Sequence, residues 1–218
     1  MRALPISPAL PRHLVSVLLL TGWLAACGPD LQPTPGPPDS EEPGEVPAGS
    51  HLSHEDKGDG TFITTVNATS SEVWIGLDLD HRLEMNMAED RQWDIAFQRF
   101  HIRVRGGVNG TGAVAVAVLS GVDFAQVSVA PADGYATDAA DGADSNSEPD
   151  TVFETAGEGW YSYDVGTHKL SPRDRVYVIK TDEGAFFKVR FLSYYDAAGT
   201  PGMLQVQFGS VQPPTPRG

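Results

Sequence analysis

Trp93-Asp94-Ile95-Ala96-Phe97-Gln98-Arg99-Phe100-His101-Ile102-Arg103-Val104 carries large apolar residues at 93, 95 and 97, then at 100, 102 and 104. Alternation of this kind marks a half-buried strand, because successive side chains leave a strand on opposite faces. The phase reverses midway, so one regular strand would send the two apolar sets to opposite sides. A β-bulge near Gln98 or Arg99 would restore a single apolar face by inserting one extra residue. A strand buried on different faces along its length is the competing reading.

The same period spreads outward over residues 60–210. Leu204, Val206 and Phe208 alternate with Gln205 and Gln207, and Phe187, Val189 and Phe191 alternate with Lys188 and Arg190. Val73, Ile75, Leu77 and Leu79 alternate with Gly76, Asp78 and Asp80, which predicts a wet face for the aspartates, and Val114, Val116 and Val118 repeat the pattern. Turn-forming pairs separate these runs: Asn109-Gly110, Asp133-Gly134, Asp141-Gly142 and Asp182-Glu183-Gly184. No long stretch has helical period. The pattern predicts an antiparallel all-β domain.

Beyond the domain the chain changes character. Arg2 and Arg12, an apolar run from Leu14 and small residues up to Ala26 have the layout of a secretory leader at 1–26, and the run is too short and wrongly flanked to be a spanning helix. Leu24-Ala25-Ala26-Cys27 resembles the bacterial lipobox, which implies that Cys27 is lipidated; an incidental cysteine in a cleaved soluble protein is the alternative. Gly28, where an inner-membrane retention aspartate could stand, points to the outer membrane. Residues 27–50 are rich in proline and acid and nearly free of large apolar side chains. Such a segment buries too little surface to offset its ordering entropy, so it is expected to be a disordered tether, extended at about 3.1 Å per residue. Residues 51–211 form the expected domain, and 212–218 an expected loose tail.

Charge and cysteine use exclude several classes. Without the leader, 13 basic residues face 29 acidic ones, a formal charge of −16. So acidic a chain, with no basic stripe, is not a nucleic-acid binder. Once Cys27 is lipidated no thiol remains for a disulfide, a metal thiolate or a nucleophile. There is no G-x-S-x-G elbow and no H-E-x-x-H helix, so no enzyme is expected.

The remaining constellations are weak. Gly106-Gly107-Val-Asn-Gly110-Thr-Gly112 lacks the order of a phosphate loop and reads as a glycine-rich hairpin turn. The acidic run Asp138 to Asp150 misses calcium-loop spacing and reads as solvated. Of the histidines, His51 and His54 lie at the end of the tether, His101 is expected to face solvent beside Arg99 and Arg103, His81 stands at a turn, and His168 stands in a loop between strands, where binding residues concentrate.

Several segments, in order, resemble the HmuY-like family of bacterial envelope lipoproteins. They are Trp93–Val104 with the glycine-rich turn after it, Pro131-Ala-Asp-Gly-Tyr135, Gly159-Trp160 with Lys169-Leu-Ser171, Arg175-Val-Tyr-Val-Ile-Lys180, and Phe187–Tyr195. The Trp93-Asp94-x-x-Phe97-x-Arg99 element is the strongest mark. The resemblance implies a single antiparallel multi-stranded domain with hairpins, long loops and few or no helices. It further implies capture of haem by two axial side chains and delivery to an outer-membrane receptor. In that family the ligands fall between the Asp-Gly-Tyr turn and the Lys-Leu-Ser element; here residues 135–167 contain neither histidine nor methionine, and Tyr163-Asp164-Val165 stands where a ligand histidine is expected. The candidate haem ligands are therefore His168 and Tyr163, with Met85 or Met87 as further donors. The competing function is a surface-exposed structural, protein-binding or ligand-binding lipoprotein on the same scaffold without haem.

Overall fold

In the computed structural model, Ile95–Gln98 (β5) and His101–Val104 (β6) are separate antiparallel strands pairing Ile95 with Val104, Phe97 with Ile102 and Gln98 with His101. The phase reversal is thus a two-residue hairpin turn, Arg99-Phe100, and the expected bulge is not there. In a two-residue turn, odd positions of the first strand face the same side as even positions of the second. Ile95, Phe97, Ile102 and Val104 accordingly share one fully buried face. Arg99 has φ 56° and lacks the usual glycine, but its N–H donates to Ala68 O at 2.8 Å and its Nη1 to Thr69 O at 2.9 Å.

The structure describes residues 50–85, 87, 92–140, 151–154 and 159–215. The leader, Cys27, the tether up to residue 49, the acidic run at 141–150 and the last three residues of the tail lie outside them. All described residues belong to one compact unit, Glu42–Gly218.

The other strands are Leu52–Asp56 (β1), Thr61–Asn67 (β2), Ile75–Asp78 (β3), Leu83–Met85 (β4), Ala115–Ser120 (β7), Tyr161–Asp164 (β8), Lys169–Pro172 (β9), Arg175–Lys180 (β10), Phe186–Tyr195 (β11) and Pro201–Ser210 (β12). They form a six-stranded sheet in the order β1-β2-β12-β11-β10-β7, a four-stranded sheet β4-β3-β5-β6, and a separate two-stranded sheet β8-β9. Every strand pair is antiparallel, and the one helical element described is the 3-10 turn Phe124–Gln126. The fold is all-β. Among the described residues no helix is long and apolar enough to cross a membrane.

The inward residues of both large sheets make one core: Ile75, Leu77, Ile95 and Phe97 from the smaller sheet meet Tyr177, Val189, Phe191, Leu204, Val206 and Phe208 from the larger. Each such side chain, fully buried, stabilises the fold by about 1.5–3 kcal/mol. Phe124, Val127 and Ala130 cover the opposite face of the larger sheet at Val176, Val178 and Phe186. Both faces of β10 are therefore buried, whereas Val118 on β7 is 39 % exposed.

The glycine-rich stretch after β6 turns back on itself as expected, with Gly106 bridged antiparallel to Ala113, and it also carries the chain from the smaller sheet to β7 of the larger. A Cβ on Gly106 would lie 2.1 Å from Val114 O, and one on Gly107 1.8 Å from Asp138 O. Only glycine permits backbones to approach so closely. Asp138, expected in a solvated loop, is buried and accepts hydrogen bonds from Val104 N, Val152 N and Asn109 Nδ2.

Bulges do occur, in β11. Its register against β12 shifts between Phe191 and Ser193 and again between Ser193 and Tyr195. Bulges re-aim side chains, and Tyr195 Oη here accepts from Leu170 N of β9 at 3.1 Å. The C-terminal pairing reaches Gln212, whose N–H donates to Ser128 O at 2.9 Å, one residue beyond the expected boundary.

Candidate functional site

Tyr163 and His168 meet on the β8-β9 hairpin. Asp164 pairs with Lys169, and Val165–His168 form the loop between them. Asp164 Oδ1 accepts from Gly166 N and Thr167 N, both at 2.8 Å, which closes the turn as an Asx motif. Those two N–H groups, Thr167 first, hold the Asp164 carboxyl below its ordinary range. His168 follows with φ 56°. A non-glycine residue in this left-handed region costs about 1–2 kcal/mol, although histidine tolerates it better than most. The conformation lays the imidazole beside Tyr163: the phenol oxygen and Nδ1 are 2.6 Å apart.

The base of this hairpin is rigid. Trp160, fully buried, donates from Nε1 to Phe100 O at 2.9 Å and packs on Tyr161, Phe191 and Tyr194. Arg173 Nε donates to Tyr161 O at 2.9 Å. Leu170 and Tyr161 are partly buried against the main core. The tip is open, with Tyr163 51 % and Val165 78 % exposed and His168 exposed as well. Two metal-competent side chains are thus displayed on a stiff stalk. Met85 pairs with Gly76 on the four-stranded sheet, and Met87 Sδ packs over that same glycine, 2.7 Å from where a Cβ would lie. Met85 belongs to that sheet and Met87 packs against it, whereas the tyrosine and histidine belong to the hairpin.

The other histidines are held more firmly than expected. His51 Nδ1 lies 2.8 Å from Glu84 Oε1, and His54 Nδ1 2.7 Å from Thr64 Oγ1. Burial lowers the pKa of His54. His101 is only partly exposed, with Nδ1 3.0 Å from Glu154 Oε2 and its ring 4.1 Å from that of Phe100.

A second cluster escaped the alternation pattern. Asp78 and Asp94 are buried, and carboxylate oxygens of Asp78, Asp80 and Asp94 lie within 4.8 Å of one another. The expected wet face of β3 is therefore closed: Met87 and Trp93 lie over Gly76, and Asp80 and Asp94 crowd Asp78 on the same face. Asp94 Oδ2 accepts from Leu79 N at 2.9 Å, while Asp78 accepts from His81 N and pairs with His81 Nδ1, both at 3.0 Å. Burial, reinforced by the neighbouring carboxylates of Asp80, Asp78 and Asp182, pushes Asp94 up to about 7. Such a group holds a proton through the acidic range. Oxygen donors of this kind suit hard cations, but internal N–H groups already occupy oxygens of Asp78 and Asp94.

Comparison with known proteins follows the fold. The family described as HmuY protein matches residues 70–208. A Bacteroides vulgatus structure described as HmuY-like and heme binding aligns with TM-score 0.52 and 18 % identity, over 72 % of this chain and 96 % of its own. The apo HmuY analog of Tannerella forsythia aligns with TM-score 0.51 and 16 % identity, over 74 % and 97 %. A Bacteroides fragilis protein described as a lipoprotein aligns with TM-score 0.52 and 16 % identity, over 71 % and 93 %. No curated protein sequence matches the chain. The sheets, the order of the matching segments and the span of the family match together place this chain in the HmuY family.

Proposed function

We propose that the protein is a lipid-anchored component of the bacterial envelope that binds haem at the tip of the β8-β9 hairpin and presents it to an outer-membrane receptor. It acts as a binding protein rather than an enzyme. The observation that carries this reading is the pairing of Tyr163 and His168 at 2.6 Å on an exposed tip above a buried base. Phenol oxygen and imidazole nitrogen are both established donors to haem iron, so the donor atoms suit the group, whereas the exposed tip supplies no apolar lining for its macrocycle. They suit one axial position only. Being hydrogen-bonded to each other at 2.6 Å, the two side chains would together supply a single donor to the group.

Membership of a family with a relative described as heme binding supports the reading. Triacyl lipidation at Cys27 would anchor the chain stably, since two or more acyl chains hold where one does not. The segment to residue 50 then serves as the tether. Replacing Cys27 with alanine is expected to move the protein from the membrane fraction to the soluble one, and unchanged partition would refute the anchor.

A second reading, the scaffold without haem, draws on one observation: residues 135–167 supply no histidine or methionine for the opposite axial position. Titrating the purified protein with ferric haem separates the two. Haem binding predicts a saturable Soret shift, and a spectrum identical to that of free haem favours the scaffold.

A further inference from the structure

Inside the domain, away from the hairpin tip, a buried hydroxyl has nothing to bond to. We propose that Phe153 plugs an aromatic slot between the sheets and gives way there to a planar aromatic carboxylate, whose acid group accepts a hydrogen bond from Tyr177 Oη. The slot owes nothing to the haem reading, since the room of one phenyl ring admits one or two fused rings and not a macrocycle.

Tyr177 lies on β10, is 2 % exposed, and finds no hydrogen-bond partner for its hydroxyl among the described residues. Buried hydroxyls are nearly always paired, so an orphan marks a place where a partner belongs. Burial pushes this phenol up to about 12, so it keeps its proton and serves as a donor. Arg175 and Arg173 bear on it with positive charge, in a chain whose formal net charge is −14. A donor in such a field selects an anionic acceptor, of which a carboxylate is the simplest. The ring of Phe153 sits 5.0 Å from that of Tyr177 and 5.7 Å, edge-on, from that of Phe191, which packs in turn on Trp160 at 5.0 Å. An aromatic occupant inherits these neighbours.

Two features make the plug removable. Residues directly opposite in an antiparallel pair share a face, and Tyr177 is opposite Val118, whose side chain is 39 % exposed although it stands on the core side of the sheet. Solvent thus reaches the rim of the slot one strand away from Tyr177. Phe153, for its part, belongs to no strand. Its turn, 151–154, is held to the edge of β6 and to Asp138 by carboxylates: Ile102 N donates to Glu154 Oε1 at 2.6 Å, Glu154 Oε2 lies 3.0 Å from His101 Nδ1, and Val152 N donates to Asp138 Oδ1 at 2.9 Å. Trp160 N adds a backbone bond to Phe153 O at 2.7 Å. Such a turn releases by exchanging a few bonds with water, without breaking a sheet ladder.

The test is equilibrium dialysis of the purified full-length protein against 2-naphthoate, and against naphthalene as the same ring system without an acceptor. Wild type is expected to bind 2-naphthoate saturably and at least about tenfold more tightly than naphthalene. Tyr177→Phe should abolish that preference, leave the naphthalene affinity unchanged, and melt no lower than wild type, because it removes an unpaired buried group. Phe153→Ala vacates the slot and should raise 2-naphthoate affinity at least about tenfold, since the ligand no longer competes with the ring. Glu154→Ala loosens the turn but leaves the ring in place, and should raise affinity by less; it carries the comparison alone if Phe153→Ala does not fold. Absence of saturable binding in wild type and Glu154→Ala alike would overturn the proposal. Equal 2-naphthoate affinity in wild type and Tyr177→Phe would overturn it too, by showing that solvent satisfies the hydroxyl. Affinity unchanged by loosening the turn or by removing the ring would place the ligand outside the slot, with the same consequence.

Discussion

The β5-β6 and β8-β9 hairpins each place a non-glycine residue at φ 56°, yet the two turns serve different ends. At Arg99 the strain is repaid locally: two carbonyl groups, of Ala68 and Thr69, accept from the arginine, and the flanking strands deliver four buried side chains to the core. At His168 the contact is with another exposed side chain, Tyr163, and the neighbouring Val165 faces solvent. Strain compensated by packing identifies a structural turn. Strain that only orders two exposed polar groups identifies a candidate site.

The distinction breaks first, if it breaks, at the level of packing. Phe97→Ala empties part of the buried face of β5 and is expected to cost about 3–5 kcal/mol, whereas Tyr163→Phe at the open tip should change stability by no more than about 0.5 kcal/mol. Denaturant melts of the two variants check this, and comparable losses would erase the contrast.

The next largest effect lies under the first hairpin's sheet. Asp94 has its carboxyl pushed up to about 7 by burial, against about 3.9 in an unfolded chain. Between those values the folded protein holds a proton that the unfolded chain has released. Stability from this group is thus full below the unfolded value and is lost as pH rises through the folded one. Burial also raises the carboxyls of Asp80 and Asp138, adding the same sign. Asp94→Asn keeps an acceptor for Leu79 N and should gain, relative to wild type, on the order of a few kcal/mol between about pH 4 and about pH 8. Parallel stability profiles for the two proteins would show that Asp94 ionises normally.

The smallest effect is the most discriminating. His168→Gly relieves a left-handed conformation and gives up only the exposed bond to Tyr163, and should raise stability by about 0.5–1 kcal/mol. Arg99→Gly gains the same relief but forfeits the bond to Thr69 O, about 1 kcal/mol, so no net gain is expected. Paired thermal melts decide it, and a gain at Arg99 equal to that at His168 would remove the difference between the turns.

Much of this architecture is legible in local pattern. The alternation at Phe187–Phe191 and Leu204–Phe208 locates β11 and β12, and the resemblance around Trp93–Val104 leads to the family. What pattern misses is set by distant partners. Arg99-Phe100 has no asparagine or glycine to announce a turn; Ala68, Thr69 and Trp160 hold it from elsewhere in the chain. Asp78 alternates as a wet residue would, but Met87 and Trp93 over the neighbouring Gly76, with His81 bonded to Asp78, close that face. His168 and Tyr163 are recognisable singly as donors. Their junction depends on the Asx turn at Asp164 and on the backbone sign at His168, which spacing does not reveal.

The proposed function puts the ligand at the exposed tip and not against the buried sheets. A ferric haem titration of wild type beside a Tyr163→Phe, His168→Ala double variant, both verified as folded, separates the two locations. A saturable Soret shift is expected in wild type and should disappear in the double variant. An identical shift in both proteins would remove the tip as the site.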